Sequence, residues 1–363
     1  MKVIICYASA GAGHFKAAES VYSYLKNYRK DVRVELVDAL DKSRPFFKFS
    51  YTKGYHFLIH YLVTFWQIAF WVTNFAPLRK LSRGIAAYLN TSNCKGFSEY
   101  LIKENPDYII STHFLTSELA GALKIKQKIS SRVVTVITDF GVHSFWISPG
   151  IDQYIVASSA TKDELCRKGV KRGIIKDFGI PISHKFLKVF DRRALSEKIG
   201  INPDKFTVLL MTGSFGLGPI EKISRILAGK VQLLVVCARN KRLFERLHKL
   251  NLPEVRVFGF IDNSEEMMAV SDVIVTKPGG LSIAEAMVRE LIPVFISPIP
   301  GQETGNIAAL KKHSVGVRPR NLRELKKLIL GLKDNPAQFR SMKENIRKIK
   351  KPFAACDVAH AIR

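Results

Sequence analysis

The chain has 363 residues, 47% of them hydrophobic, which is enough for two domains of ordinary size, each with its own core. Its five cysteines are widely spaced and include no Cys-x-x-Cys pair, so the sequence argues against a disulfide framework or a zinc site and favours a reducing compartment. The formal net charge of +26 at pH 7 predicts an anionic partner, either nucleic acid or an acidic membrane surface.

The amino terminus passes at once into a strand pattern, VIICYA, without a basic region, a long apolar core or a cleavage site. We therefore expect a cytoplasmic protein. The first predicted elements are a strand, a glycine loop, a helix and a second strand, over Val3–Ala8, Gly11–Gly13, Lys16–Tyr28 and Val32–Val37. A dinucleotide-binding fingerprint has this order, but Lys16 stands where that fingerprint needs its third glycine.

The GAGH segment suggests a site for an acceptor molecule. Gly11 and Gly13 would let a ligand approach the backbone closely. His14 stands at the start of the helix with its ring expected to face a cleft between domains, where an imidazole suits general-base chemistry. The alternative is that His14 only caps the helix or points into solvent.

Between residues 45 and 90 the composition changes abruptly. The run FLIHYLVTFWQIAFWVTNFA, at 57–76, contains Phe65, Trp66 and Trp71, and basic residues flank it on both sides. It is long enough to span a bilayer, but polar residues interrupt it and it lies between predicted strands. A transmembrane helix and a buried core helix remain alternatives. We predict an interfacial segment whose aromatic groups enter the lipid boundary while Lys and Arg attract anionic head groups.

The alternation resumes with strands and a helix over Tyr108–Ser111, Thr116–Lys124, Val133–Thr138 and Ile151–Ala157. Asp139 directly follows the strand Val133–Thr138, and His113 comes after the strand Tyr108–Ser111. Because ligands bind at the carboxyl ends of parallel strands, Asp139 is a second candidate for the catalytic base, or a residue that orients His14. The alternative is that Asp139 caps a turn.

The second half contains further predicted strands, over Phe206–Met211, Val231–Cys237, Val255–Phe258, Val273–Thr276 and Pro293–Ile296. After the first of them comes TGSFGLG and then a helix from Pro219. The backbone amide groups of this loop can donate hydrogen bonds to a diphosphate, and the positive end of the following helix adds to this attraction. The residues that supply the amides are Gly213, Ser214, Gly216 and Gly218. The loop lacks the GK[ST] ending of a P-loop, so ATP hydrolysis is not supported.

The stretch from Val273 to Asn306 carries two neighbouring loops rich in glycine, carboxylate and amide. Gly280 precedes a helix predicted to begin near Ser282, with Glu285 one turn in. A carboxylate there accepts hydrogen bonds from two adjacent hydroxyls, as on a ribose, and the next loop offers sugar-reading groups at Gln302, Glu303 and Asn306. The alternative is that Glu285 only favours a helix N-terminus and that the second loop is a surface turn.

The ordered motifs LLMTGSFGLGPIE, FGFID, TKPGGLSIAEAM and GQETGN resemble the GT-B glycosyltransferases of one family. That family holds the monogalactosyldiacylglycerol synthases, the bacterial diacylglycerol glucosyltransferases and, more distantly, the lipid II-forming N-acetylglucosaminyltransferase. The resemblance implies an α/β fold of two Rossmann-like domains whose parallel sheets face each other across a cleft. The expected domains are an acceptor and membrane domain at 1–182, a UDP-sugar domain at 183–350, and a helix at 351–363 that packs back on the first.

The resemblance also implies residue roles. His14, in the GxGH motif of the family, would be the general base, Phe260 and Ile261 would hold the uracil, and Glu285 the ribose. Gln302 and Glu303 match the loop that contacts the sugar. A run of consecutive glycines, common in the plant enzymes, is replaced here by GSFGLG. The implied donor is a UDP-hexose, the implied acceptor is diacylglycerol, and no cofactor is expected. No carboxylate cluster suggests a metal, so we predict that none is essential.

The predicted reaction is inverting transfer of a hexose to diacylglycerol by a protein peripheral to the inner face of the cell membrane. One rival is transfer to a polyprenyl-linked acceptor, although GQETGN has an acid where that branch usually has paired amides. A rival of another class is a nucleic-acid-binding protein. The aromatic residues are concentrated in one block, away from the basic tail at 311–351, so we predict no nucleic-acid partner. That tail is either a solvated basic face or a membrane-facing ridge.

Overall fold

The computed structural model describes residues 1–54, 62, 64, 67, 68, 73 and 79–362. The chain divides into two compact units. The first comprises Met1–Ser183, Ile299–Asn306 and Lys351–Arg363, and the second comprises His184–Pro298 and Ile307–Lys350. Each unit is built on a parallel sheet, so the predicted α/β class with two parallel sheets is confirmed.

The first sheet has six strands in the order β2-β1-β3-β4-β5-β6. Its strands are β1 Lys2–Tyr7, β2 Arg33–Asp38, β3 Tyr108–Ser111, β4 Arg132–Val136, β5 Gln153–Ile155 and β6 Ile175–Lys176. All adjacent pairs are parallel, and β1 lies between β2 and β3. Helical connections are required between parallel strands, which accounts for the strand and helix alternation in the sequence.

The α-helices that the structure describes in the first unit up to the last strand of its sheet are α1 Ala12–Tyr28, α2 Pro45–Phe49, α3 Arg79–Asn93, α4 Lys95–Glu104, α5 Phe114–Ile125 and α6 Ser159–Arg167. The prediction that α1 begins at Lys16 was wrong, since it begins at Ala12 with Gly11 as its N-cap. Gly13 and His14 therefore lie in the first helical turn rather than in a preceding loop. Alanines at 12, 17 and 18 favour the helix, and a glycine at position 13 does not stop it.

Alternate residues of β1 enter two different cores. Val3 and Ile5 pack with Val21 and Leu25 of α1 on one face of the sheet. On the other face, Ile4 and Cys6 belong to a cluster that includes residues of α4 and α5, among them Phe97, Leu101, Leu115 and Leu119. Burial of one such aliphatic side chain stabilises the fold by about 1.5–3 kcal/mol, so both faces hold the strand in register.

The second sheet has five parallel strands in the order β11-β10-β7-β8-β9. They are β7 Thr207–Met211, β8 Gln232–Val236, β9 Val255–Phe258, β10 Val273–Thr276 and β11 Ile292–Phe295. The chain runs outward from β7 to β9 and then returns to the other side of β7. The strand order therefore reverses between β7 and β10, and ligands bind at such a reversal, beyond the carboxyl ends of the strands.

The helices from the second unit onward are α7 Arg192–Ile199, α8 Ile220–Leu227, α9 Lys241–Lys249, α10 Ser264–Ala269, α11 Gly280–Val288, α12 Gln302–Lys311, α13 Leu322–Asp334, α14 Pro336–Ile349 and α15 Ala354–His360. The last of these packs against α1 of the first unit, where Val358 and Ala359 enter the core beside Val21 and Leu25. The Tyr24 hydroxyl also lies 3.0 Å from the Cys356 thiol.

The aromatic segment at 57–76 lies largely outside the described residues. Phe65, Trp66 and Trp71, which the sequence marks as acceptor or membrane contacts, are among the residues not described. In the part of the chain that the structure covers, no helix combines the length and the apolar character needed to cross a bilayer.

Candidate functional site

His14 is fixed through one of its two ring nitrogens. Its Nδ1 lies 2.8 Å from the carbonyl oxygen of Thr112 and 2.9 Å from Oγ1 of Thr138, at the ends of β3 and β4. A carbonyl only accepts hydrogen bonds, so Nδ1 carries the proton and Nε2 of the neutral ring carries the lone pair. Among the described residues, the hydrogen bonds of the His14 ring all involve Nδ1, and its backbone carbonyl accepts one from Thr112 Oγ1 at 2.9 Å.

The surroundings of His14 set its charge. Burial lowers the pKa of the imidazole, and the nearby Asp139 carboxylate opposes this by raising it. The net direction is downward, so the ring is neutral at neutral pH and can accept a proton. The geometry thus places a tethered, neutral imidazole in the first turn of α1.

Asp139 is buried, with only 6% of its surface exposed, at the loop after β4. Its carboxylate accepts hydrogen bonds from Gln302 Nε2 at 3.1 Å, from Asn306 Nδ2 at 3.2 Å and from the Trp146 side chain. Burial raises the pKa of Asp139 above its ordinary value, and the charge of His14 and the three hydrogen-bond donors only partly oppose this rise. The three donors offset part of the cost of burial and favour the charged carboxylate, which is the form that a partner for an imidazolium requires.

Asn306 is fully buried and holds the backbone of the same loop. Its Oδ1 accepts hydrogen bonds from the backbone N–H groups of Phe140 at 2.7 Å and Gly141 at 3.1 Å. Gly305 approaches so closely that a Cβ on Gly141 would lie 2.8 Å from its carbonyl carbon. Residues 299–306 belong to the first unit, and they fix the position of Asp139.

The predicted sugar-reading loop is therefore engaged with Asp139. Gln302 and Asn306 contact the carboxylate directly, whereas Glu303 accepts a hydrogen bond from the Ile299 backbone N–H at 2.6 Å, at the start of α12. Contact of these three residues with a hexose stays a prediction. Sequence reasoning missed this arrangement, although the amide side chains at 302 and 306 gave a signal of polar recognition.

His113 is a further residue of the site. It is buried, its ring centroid lies 4.5 Å from that of His14, and its Nδ1 accepts the Leu115 backbone N–H at 3.1 Å to cap α5. Burial and the neighbouring His14 hold the pKa of His113 well below its ordinary value. The second imidazole is consequently neutral, and it does not compete with His14 for a proton.

Gly11 and Gly13 lie beside His14 as expected from the motif. A Cβ added at Gly11 would meet no atom within 4 Å, so the described residues leave space around this backbone position. The close approach of an acceptor to Gly11 and Gly13 remains a prediction.

The second unit carries the glycine loop after β7. Gly213, Gly216 and Gly218 have φ angles of 86°, 59° and 125°, a region that other residues rarely adopt. Asn240 Nδ2 donates to the Gly216 carbonyl at 3.2 Å, and the Arg239 backbone N–H donates to the Ser214 carbonyl at 3.4 Å. These two hydrogen bonds hold the loop in place directly before α8. The helix begins at Ile220, with Pro219 as N-cap, one residue later than predicted.

Gly216→Ala tests the packing of this loop. A Cβ at this position would overlap the Cys237 carbonyl oxygen, and the positive φ adds strain, so we expect a loss of at least about 2 kcal/mol of unfolding free energy. Gly213→Ala is the matched control, because its φ is also positive but no atom lies within 4 Å of the added Cβ. Urea denaturation of both variants measures the difference, and equal losses would contradict the packing argument.

The other predicted donor residues follow β9 and β10 of the second sheet. Helix α11 begins at Gly280 rather than near Ser282, which moves the half-buried Glu285 into its second turn. Phe260 is 65% exposed and the Arg239 guanidinium lies 5.8 Å from its ring centroid, while Ile261 is half-buried. Roles in uracil and ribose binding stay predictions for Phe260, Ile261 and Glu285. Gly280 is buried at the start of α11.

The residues that the structure describes include no group of three or more His, Cys, Asp or Glu side chains that could hold a metal ion. The expectation that no metal or cofactor is essential stays a prediction. The chemistry available from the described residues is proton transfer at His14 and Asp139, and hydrogen-bond donation from the glycine loop.

Comparison with known sequences identifies relatives over the whole chain. The family profile of monogalactosyldiacylglycerol (MGDG) synthase matches residues 14–182. The processive diacylglycerol beta-glucosyltransferase of Staphylococcus haemolyticus is 30% identical over 324 residues, which cover 87% of this chain and 80% of the relative. Monogalactosyldiacylglycerol synthase 1 of Arabidopsis thaliana is 29% identical over 378 residues, covering 99% and 70% respectively.

Solved structures share the fold at lower sequence identity. Acinetobacter baumannii MurG superposes with a TM-score of 0.64 at 14% identity, and the alignment covers 99% of both chains. Anabaena Alr3699/HepE, solved in complex with UDP, gives a TM-score of 0.56 at 17% identity over 99% of both chains. With the two parallel sheets and the sequence relatives, these likenesses establish a chain of the GT-B fold that belongs to the family of the monogalactosyldiacylglycerol synthases and the bacterial diacylglycerol glucosyltransferases.

Proposed function

We propose that this chain is an inverting glycosyltransferase that moves a hexose from a UDP-sugar to the hydroxyl of diacylglycerol. Support comes from its relatives, which are named for diacylglycerol glucosylation and monogalactosyldiacylglycerol synthesis, and from a neighbour solved with bound UDP. The observation that carries the chemistry is the tether at Nδ1 of His14, which leaves the Nε2 lone pair for the acceptor.

In the proposed step, His14 Nε2 takes the proton of the acceptor hydroxyl. The acceptor oxygen forms a bond to the anomeric carbon as the bond from that carbon to the diphosphate oxygen breaks, and UDP leaves with the electron pair. Attack from the face opposite UDP inverts the anomeric centre and gives a β-linkage. The hydrogen bond from Nδ1 to Thr112 holds the ring throughout, so little reorganisation is needed when the proton arrives.

Asp139 stabilises the imidazolium that this step creates. Its charge raises the pKa of His14, and its side-chain donors hold the carboxylate in place. Asp139 is thus proposed as the electrostatic partner of the base, as a buried carboxylate serves a catalytic histidine in other enzymes. Gln302 and Asn306 donate hydrogen bonds to the Asp139 carboxylate, so we propose that both residues support the reaction by holding Asp139 in place.

The leaving diphosphate gains negative charge as the bond to the sugar breaks. We propose that the amides of the 213–218 loop and the N-terminus of α8 stabilise this charge. Gly213, Gly216 and Gly218 have positive φ angles, and anion-binding nests also contain residues in this left-handed region.

The proposal is tested by UDP release from purified protein on liposomes that contain diacylglycerol and an anionic lipid. UDP-glucose, UDP-galactose and UDP-N-acetylglucosamine are supplied separately, each with and without diacylglycerol. We expect release with at least one donor, and only when diacylglycerol is present. Release that instead requires a polyprenyl phosphate-linked acceptor would reject the diacylglycerol assignment and keep the UDP-sugar donor.

The acceptor is a membrane lipid, and we propose that the first unit meets the bilayer through α2 and α3. Phe46 and Phe49 of α2 are 80% and 60% exposed, whereas Phe47 between them packs toward the core. On α3, exposed apolar side chains occur at Ile85, Tyr88 and Leu89. Exposed aromatic groups among basic residues are typical of helices that lie in the lipid interface. The protein would then be peripheral to an anionic membrane.

The double substitution Phe46→Ser/Phe49→Ser tests this surface. Transfer of each aromatic ring from water to lipid favours binding, so their loss should weaken sedimentation with anionic liposomes at least about tenfold. Phe353→Ser is the matched control, since Phe353 is 61% exposed in the same unit but precedes α15. Equal liposome binding by the double variant and wild type would refute the proposed surface.

A further inference from the structure

Lys277 occupies a distinctive place in the second sheet. It directly follows β10, which lies between β11 and β7 in the strand order and therefore borders the reversal point. Lys277 is half-buried, and among the described residues its ammonium group has no hydrogen-bond or ion-pair partner. A partly buried ammonium group without a counterion is available to pair with an anionic ligand.

The loops on both sides of Lys277 approach each other. A Cβ placed on Gly218, after β7, would lie 3.7 Å from Oγ of Ser297, which follows β11. Since β10 is the strand between β7 and β11, the backbone at Lys277 emerges at the same sheet edge as these two loops. The lysine is thereby placed beside the glycine loop proposed for the diphosphate.

A buried hydroxyl at this edge also lacks a partner. Thr212 immediately precedes the glycine loop and is only 4% exposed, and its Oγ1 has no hydrogen bond within the described part of the chain. Buried polar groups are nearly always satisfied, so an orphaned hydroxyl in a loop rich in amides points to a ligand oxygen. Thr212 follows a different strand from Lys277, and both residues point to a ligand with phosphate-like oxygen atoms.

Two other charged side chains near this edge, those of Arg239 and Glu221, have partners within the second unit. The Arg239 guanidinium lies over the Phe260 ring. Glu221, the acid in the first turn of α8, pairs with Arg225 and Arg246, so its repulsion of an anion is reduced. Lys277 is therefore a cation at this edge whose ammonium group is available to a ligand that approaches the glycine loop.

We propose that Lys277 binds the diphosphate of the donor and, with the Thr212 hydroxyl, stabilises the charge that the leaving UDP acquires. This inference rests on the proposed UDP-sugar function and names a residue that the glycine motif does not include. Amides bind the phosphates as dipoles, whereas Lys277 adds a full positive charge. The attraction between Lys277 and the diphosphate becomes stronger as UDP gains negative charge during bond breaking. Lys277 should therefore contribute to both UDP affinity and turnover.

Calorimetric titration of the full chain with UDP and with uridine tests the assignment. Lys277→Met should weaken UDP binding about 10- to 100-fold, as expected for loss of a charge-assisted hydrogen bond. Uridine lacks phosphates, and its affinity should change less than about twofold. Lys277→Arg should recover part of the loss. Thr212→Val, which keeps the shape, should weaken UDP binding to a smaller extent.

Lys249→Met is the matched control, since Lys249 is an exposed lysine of the same unit at the carboxyl end of α9. It should leave UDP affinity unchanged. Unchanged UDP affinity in Lys277→Met, with wild type binding UDP, would overturn the assignment of Lys277 alone. Failure of wild type to bind UDP would instead overturn the proposed donor class, and the assignment with it.

Discussion

Replacing His14 with alanine is expected to reduce kcat for sugar transfer about 10³-fold, which is the usual contribution of a positioned general base. The variant loses Nε2, the atom proposed to accept the proton of the acceptor hydroxyl. UDP affinity should stay within twofold of wild type, because the glycine loop belongs to the other unit. Steady-state kinetics on diacylglycerol liposomes, together with UDP titration, measure the two effects separately.

His360→Ala serves as the control for His14→Ala. His360 is an exposed histidine of the first unit on α15, and its substitution should leave kcat near wild type. If His14→Ala retained more than a tenth of wild-type kcat, His14 would not be the base. Asp139 would then become the leading candidate.

Asp139→Asn is expected to lower kcat/KM by about 10²- to 10⁴-fold and to move its acid limb to lower pH. In wild type, burial lowers the pKa of His14 and the Asp139 charge raises it. Asparagine carries no charge, so the upward effect of Asp139 is lost and the pKa of His14 falls. The base then stays unprotonated to lower pH, but the imidazolium formed during reaction is no longer stabilised.

The pH dependence of kcat/KM in both proteins measures this effect. Asp163→Asn is the control, because Asp163 is exposed and pairs with Arg172 at the surface. A shift of the acid limb to higher pH in Asp139→Asn would show that the residue does not act through the charge of His14. A profile unchanged in shape and height would remove Asp139 from the mechanism.

The elements with the strongest local signals were predictable from the sequence. The strands Tyr108–Ser111, Val255–Phe258 and Val273–Thr276 have the predicted bounds, since each is a short apolar run closed by turn residues. The predicted start of α1 was late because glycines were interpreted as a loop. Strand β6 has only two residues, too few for a recognisable pattern.

The composition of the site was less accessible to sequence reasoning. His14 was named from the GAGH motif at the start of a helix and Asp139 from its place at the end of a strand; Thr112 and Thr138 also lie at strand ends but were not singled out. The contact of Asp139 with Asn306 joins residues 167 positions apart. No local pattern encodes such a contact, because it depends on the return of the 299–306 segment to the first unit.

The most direct test of the account is the structure of the lipid product made by purified protein from its UDP-hexose donor and diacylglycerol. Proton NMR of the isolated glycolipid reports both the attachment to the glycerol hydroxyl and the anomeric configuration. The account predicts a β-linked hexosyl diacylglycerol, formed by wild type and not by His14→Ala. An α-linked product would contradict the inverting mechanism, and absence of any glycosylated diacylglycerol with every UDP-hexose would contradict the proposed function.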